Sequence, residues 1–240
     1  MTRTVRAATA DPSDSDGRPT GKPEPASLEA MVAALEEDIV LGRLHPRERL
    51  IEEDLIARFG ATRHLARQAL IELDRMGLIE RIPNRGAQVR SYTVEEVEQL
   101  YVLRGLLEAE AARLIALPMP ADDLAELKAL QVTHDTAIAA GEVAAIFRAN
   151  LAFHRKLFSC CRNVFLSDAI TAAAQRAHGI RFLVLTAPHE REAARQEHHA
   201  MIAAIEALDS DLLVQLCRNH LPASKAAYLR AFGQVPRDSL

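Results

Sequence analysis

The chain has no tryptophan, and aromatic residues fill only 4% of its 240 positions. Its core has to be built from aliphatic side chains, and alanine and leucine dominate. Both are strong helix formers, while glycine, which weakens helices, occurs only ten times. A mostly α fold is expected. Cysteine is also scarce: Cys160, Cys161 and Cys217, an odd number with two adjacent. That excludes a disulfide framework and fits a reducing, cytoplasmic setting. The three thiols are read as small buried apolar residues. No apolar run approaches the roughly 20 residues that span a bilayer, so no membrane partner is expected. The N-terminus lacks the apolar stretch of a secretion signal.

Positive charge does not dominate the whole chain, whose net charge is −4. It is unevenly placed, however. Arg43 to Arg90 holds ten arginines and seven acids, a net +3, which leaves −7 for the rest. A basic segment beside an acidic one suits a nucleic-acid reader joined to something else, although +3 is also compatible with an ordinary solvated surface.

What is present falls into three parts. Residues 1–26 carry four of the eleven prolines and a polar Asp/Ser/Gly cluster without apolar periodicity, and are read as a disordered tail. Residues 27–92 are read as a winged helix-turn-helix. Ser27 caps a helix with Leu28, Met31, Val32, Leu35 and Ile39 on one face, stopped by Gly42 and Pro46. Leu50 to Phe59 forms a short second helix ending at Gly60, and Thr62 caps a third. The third buries Leu65, Ala66, Ala69, Leu70 and Leu73, which leaves Arg63 and Arg67 on the opposite face. Gly77 to Val89 reads as a small hairpin, the wing. From the capping box at Thr93 and Glu96 onward no strand signal remains. Residues 93–235 are expected to be all-helical, in segments near 94–116, 121–140, 142–160, 163–186, 190–207 and 210–232.

The helical part holds a second constellation. Asn150 and His154 are four apart and share a helix face, His198 lies early in a later helix, and His220 lies near the end of the chain. Imidazoles and one oxygen donor from neighbouring helices can hold a divalent ion such as Zn²⁺ or Ni²⁺, with open positions remaining. On spacing alone, buried histidines that are merely hydrogen-bonded are the commoner outcome. His134, His178, His189 and His199 are assigned to the surface or to supporting roles, and Arg176 and Arg181 to a helix that lines a cavity.

These residues resemble the GntR-type bacterial transcription regulators with an all-helical, FadR-like C-terminal ligand domain. The N-terminal likeness runs through Gly42-Arg43-Leu44-His45-Pro46, Leu50 to Leu55, Thr62 to Leu70 and Arg85 to Val89. The C-terminal likeness runs through Arg104 to Glu108, Asn150 to His154, Glu197-His198 and His220-Leu221. The chain departs from the family at Thr62, Ala66 and Gln68, where Ser, Val and Glu are usual, and at Asn150, where Asp is commoner.

The resemblance implies a homodimeric, ligand-responsive repressor bound to double-stranded DNA at an inverted repeat, and not an enzyme. Thr62, Arg63, His64, Arg67, Arg85 and Gly86 would meet the duplex, with Arg63 and Arg67 reading bases. Asn150, His154, His198 and His220 would hold the metal, and Arg104 would grip a small carboxylate effector. Arg104 has an alternative partner in Glu108 one turn on. Two other readings stay open: a three-histidine hydrolase with Glu197 as base, and a metal-free regulator that binds an acyl thioester. The first is opposed by geometry, since neighbours in a helix point about 100° apart and Glu197 should turn from a site that His198 faces.

Overall fold

A computed structural model describes residues 27–82, 86–181 and 187–232. The tail at 1–26 and Arg85 of the wing lie outside the described residues. The N-terminal unit contains α1 (Leu28–Val40), β1 (Arg49–Leu50), α2 (Glu52–Phe59), α3 (Arg63–Arg75), β2 (Ile79–Ile82) and β3 (Gly86–Val89). The caps are those expected from the side chains. Ser27 Oγ accepts from Ala30 N at 3.1 Å, and Thr62 Oγ1 from Leu65 N at 3.2 Å. Gly60 closes α2 in the left-handed region at φ 60°, which glycine adopts without steric cost. Met31, Leu35, Leu55, Ala66, Leu70, Leu73 and Ile79 form one buried core with the wing residues Ala87 and Val89. Truncating a buried leucine such as Leu73 in a core of this kind costs about 2–5 kcal/mol.

The sheet differs from the expected hairpin in one respect. It has three antiparallel strands in the order β1-β3-β2, with Leu50 opposite Ala87 and Arg81 opposite Ala87 on the other side. Leu50 therefore belongs to a strand, and the second helix starts at Glu52. A two-residue strand has no periodicity of its own and exists only because β3 supplies its partner.

The helical unit consists of α4 (Val94–Leu114), α5 (Ala121–Ala140), α6 (Val143–Ser159), α7 (Val164–Arg176), α8 (Pro188–Glu206), α9 (Ser210–Asn219) and α10 (Pro222–Phe232). The capping box is present: Thr93 N donates to Glu96 Oε2 at 2.8 Å and Glu96 N to Thr93 Oγ1 at 3.2 Å. Its central core joins Ala111, Leu127, Phe153, Leu157, Met201, Ile205 and Leu213, and all three cysteines are buried and free.

Two expected helices are divided. The 210–232 segment breaks at His220-Leu221, and Pro222, which has no amide hydrogen to continue α9, starts α10. The 163–186 segment tightens at Ala177, whose N–H donates to Ala174 O at 3.0 Å, before helical residues 178–181. That change of direction carries His178 against α1 of the N-terminal unit, where its Nδ1 lies 2.7 Å from Glu36 Oε1. Val40 of α1 packs with Ala137, Ile146 and Phe147 in the same region. No helix among the described residues is long and apolar enough to cross a membrane.

Candidate functional site

The first site is the exposed face of α3. Thr62, Arg63, His64 and Arg67 are all exposed, because the buried alanines and leucines of α3 take the other side. Arg63 Nη2 lies 3.4 Å from Glu53 Oε1, and Arg67 Nε lies 3.0 Å from Glu52 Oε2. Solvent-exposed pairs of this kind contribute about 0–1 kcal/mol, so both arginines are readily released to another anion. Gly86 opens β3 at φ 84°, a conformation that favours glycine, and it is exposed beside α3. A groove of about 470 Å³ runs between α3 and the wing, lined by Arg67, Leu70, Asp74, Arg81, Gly86 and Glu52.

The second site is inside the helical unit. α6, α8 and the end of α9 bring three imidazoles together. His154 Nε2 lies 3.0 Å from His220 Nε2 and 3.1 Å from His198 Nε2, and all three ligand atoms fall within 4.8 Å of one another. The outer ring nitrogens of two of them are held. His198 Nδ1 is 3.0 Å from Gln131 Oε1, and His220 Nδ1 is 2.5 Å from Glu197 Oε2. Both partners are acceptors, so each Nδ1 carries a proton, and in the neutral ring that a metal ligand needs Nε2 presents a lone pair to the centre. Two lone pairs thus converge on His154 Nε2, an arrangement that a cation relieves. Ligand nitrogens about 2.0–2.1 Å from a common ion, at 90–109°, would stand about 2.9–3.4 Å apart; the separations of 3.0 and 3.1 Å fall in that range, while the widest, up to 4.8 Å, exceeds it, so the rings have to draw together around an ion. Phe153 stacks on the His198 ring at 4.1 Å and fixes its plane.

Burial holds the His154 and His198 pKa values well below the usual imidazole range, with the neighbouring His220 adding to the effect. Both are therefore neutral, the state a metal ligand needs. Asn150 stands one turn before His154 on α6, is buried, and its Nδ2 has no partner among the described residues. Glu197 does turn from the centre, as the helix geometry requires, and instead orients His220 from outside. His189 and His199 are exposed. His134 is buried beside His198, at 4.9 Å between ring centroids, and burial lowers its pKa to about 4. His178 is buried too, so two of the four lie at the surface and the other two fall to the supporting alternative. Neither burial had a sequence signal, because each comes from a neighbouring helix.

The three-histidine centre lies between two cavities. The larger, of about 420 Å³, is lined by His154, Arg104, Arg181, Phe158, Thr171 and others. The smaller, of about 120 Å³, is lined by Asn150, His220, His134 and also Arg181. Arg104 is 5% exposed and Glu108 2%, and the two pair at 2.9 Å through Nη2. The alternative partner expected from the sequence is thus real, yet Arg104 remains on the cavity wall and its Nη1 is buried without a partner. Burial is the largest single influence and works against the Arg104 charge, but Glu108 and Tyr101 together outweigh it and raise the pKa. Arg181 has no ion-pair partner among the described residues, and burial, then the Arg104 charge, lowers its pKa to about 10. The lining also carries Arg155, Asp168 and Glu36, the last engaged by His178; with Glu108 engaged by Arg104, Arg181 and the free Arg104 Nη1 are the groups that suit an anion. Arg176 does not line either cavity; it lies over Gly77.

Residues 28–89 match the family model of bacterial regulatory proteins of the GntR family, and residues 99–223 match the FCD domain. The chain is 28% identical to the HTH-type transcriptional regulator YdhC of Bacillus subtilis, over 77% of this chain and 83% of the relative. It is 24% identical to the HTH-type transcriptional repressor RspR of Escherichia coli, over 78% and 82%. Its fold is similar to that of E. coli McbR/YncC, with a TM-score of 0.73 at 22% identity, covering 86% of this chain and 99% of that one. A transcriptional regulator from Rhodococcus superposes with a TM-score of 0.72 at the same identity, over 85% and 98%. A winged helix-turn-helix joined to this helical domain is a DNA-binding regulator and not an enzyme, and the chain belongs to the GntR family of bacterial transcription regulators, among those with an FCD domain.

Proposed function

We propose that the protein is an effector-responsive repressor whose helical domain holds a divalent metal and a small carboxylate. The observation that carries this reading is the convergence of three imidazole nitrogens beside a cavity lined by one buried guanidinium, Arg104, and one half-buried, Arg181. His154, His198 and His220, with Asn150, form the ligand set, and Zn²⁺ or Ni²⁺ suits such nitrogen and oxygen donors. When bound, the ion supplies an electrophilic position for a carboxylate oxygen. Arg104 Nη1 and Arg181 hold the carboxylate's charge, and Phe158 and Leu151 exclude water from its body. Asn150 is neutral, so the ion keeps its full charge, which favours an anionic effector. The repressor sense is taken from RspR.

On DNA, residues 27–92 act as the reading domain and residues 93–235 as the sensing domain. α3 enters the major groove, Arg63 and Arg67 read bases, and Thr62, His64 and Gly86 approach phosphates; Arg85 is assigned to the same face from its place in the wing. The protein acts as a homodimer on an inverted repeat. Val102, Leu103 and Leu106 support this, since they form an exposed apolar stripe on the outer side of α4 at 62%, 47% and 66% exposure. The test is elemental analysis of the purified full chain, with about one divalent ion per chain expected. A metal-free protein whose melting temperature does not respond to added Zn²⁺ would refute the metal centre.

A further inference from the structure

We propose that His178 is a ligand-binding residue of the larger cavity, that it reads a hydroxyl group on the effector, and that Glu36 of the DNA-binding domain sets it to do so. The effector is thereby narrowed from a carboxylate to a hydroxycarboxylate. This rests on the larger cavity being the effector site.

His178 is 2% exposed and lines that cavity, as does Glu36. Its Nδ1 lies 2.7 Å from Glu36 Oε1. A carboxylate only accepts, so Nδ1 carries the proton. Burial lowers the His178 pKa in spite of Glu36, so the ring is neutral and Nε2 is left as an acceptor. That Nε2 is buried and has no partner among the described residues. Phe147 meets the ring edge-on at 5.1 Å and limits its rotation. The same cavity wall carries the complementary orphan, Arg104 Nη1, which can only donate. The lining of this cavity thus holds a buried acceptor at His178 Nε2 and a buried donor at Arg104 Nη1, with His154 Nδ1 a third unpartnered nitrogen, and together they ask for a ligand that both donates and accepts. A plain carboxylate satisfies Arg104 and leaves His178 unpaired; a hydroxycarboxylate satisfies both.

Glu36 gives this reading a regulatory side. It belongs to α1, which shares a core with the recognition helix α3. If α1 withdraws, nothing holds the proton on Nδ1, and Nε2 can become a donor. The hydroxyl preference therefore exists only while the DNA-binding domain is docked in this arrangement, which is the differential affinity that a ligand needs to shift a conformational equilibrium.

The test is isothermal titration of the full chain, equilibrated with Zn²⁺, against acid pairs differing by one hydroxyl: lactate and propionate, malate and succinate, phenyllactate and phenylpropionate. In pairs that bind, the hydroxy acid should bind about tenfold or more tightly. In His178→Asn, whose amide nitrogen occupies the place of Nδ1 and still donates to Glu36, the ratio should fall to about one while the deoxy acid keeps its Kd. Glu36→Leu should lower the ratio and also weaken the effect of the hydroxy acid on operator affinity. Equal binding within every pair overturns the hydroxyl reading and leaves the cavity as a carboxylate site. A ratio that survives His178→Asn overturns the role of His178. Binding by neither member of any pair overturns both this inference and the effector cavity on which it rests.

Discussion

Replacing Glu108 by leucine should be among the most damaging single changes in the helical domain that leave its central apolar core intact. Arg104 donates to Glu108 through Nε at 3.0 Å and Nη2 at 2.9 Å, and its Nη1 has no partner. Without Glu108 the guanidinium loses both of those bonds and keeps only the Tyr101 ring, 5.2 Å from its Cζ, beside a second cation at Arg181. Removing one member of a buried ion pair costs about 3–5 kcal/mol, because the other charge is left desolvated. For a protein of this size, that corresponds to a fall in melting temperature of roughly 6–20 °C. Glu108→Gln keeps an acceptor and should cost less. The informative control is the double variant Arg104→Met/Glu108→Leu, which removes both charges and should recover most of the loss, since apolar replacements of whole buried pairs are often neutral. Thermal unfolding followed by circular dichroism, with urea titration for the free energies, measures each. A Glu108→Leu protein within about 1 kcal/mol of the wild type would show that the Arg104 charge is solvated and does not await an anion. A double variant as unstable as the single one would show that Glu108 acts by packing.

Further outcomes follow from the same geometry. Arg67→Ala should weaken binding to the cognate operator by about 1–3 kcal/mol, measured by fluorescence anisotropy, and unchanged affinity would remove Arg67 from base reading. Leu106→Glu should drive the protein toward monomer in analytical ultracentrifugation, because it places a charge in the α4 apolar stripe; an unchanged dimer would locate the interface elsewhere. Acid should destabilise the protein partly through His178, whose pKa is lowered by burial in the folded state. The unfolded chain takes up its proton near pH 6.5, so the stability that the neutral ring contributes is present above that pH and is lost as the pH falls below it. Between pH 7.5 and 5, wild type should therefore lose more stability than His178→Asn in urea unfolding, and parallel losses would contradict the assignment.

The parts legible in the sequence are those whose cause is local. Ser27, Thr62 and Thr93 cap helices because a hydroxyl reaches an amide three residues on, and each capping bond is present. The exposed face of α3 follows from its apolar spacing alone. The convergence of His154, His198 and His220 required more than spacing, since 44 and 66 positions separate them from His154, and only the resemblance to a known family put them together. What escaped was nonlocal or depended on a competing partner. The Arg49–Leu50 strand exists through β3, and the break at Ala177 serves a contact with α1. The sequence left His134 and His178 open between surface and supporting places; His198 beside the first, and Glu36 and Phe147 around the second, decide it. The Arg104–Glu108 spacing offered an ion pair as the alternative to an effector contact, but it said nothing of the third guanidinium nitrogen, on which the suitability for an anion depends.

The junction between the domains is where the proposed effector response would have to pass from the histidine centre to α3. His220 caps α9, and α10 begins two residues later at Pro222. One face of α10 is held by Tyr101 Oη and Ser224 Oγ at 2.7 Å. Further along, the hydroxyl of Tyr228, which is 1% exposed, accepts from Tyr92 N at 3.1 Å. Tyr92 lies between the wing and α4, and its own hydroxyl donates to Gly77 O at 2.9 Å, in the turn that closes α3. Gly77 sits at φ 76° beneath Arg176 of α7, where an added Cβ would stand 2.9 Å from Arg176 Cγ. α10 and the turn after α3 therefore share two buried hydrogen bonds in series, and breaking either strands a buried polar group at a cost of about 1–3 kcal/mol. Any movement of α10 that keeps both bonds has to take Tyr92 and the turn after α3 with it. α1, tied to His178 through Glu36, meets the same helical domain independently, so the recognition helix is supported from two sides by elements that line or adjoin the candidate ligand site. Energetic coupling through such contacts needs no long pathway, only two arrangements of one packed junction that ligand and DNA favour differently.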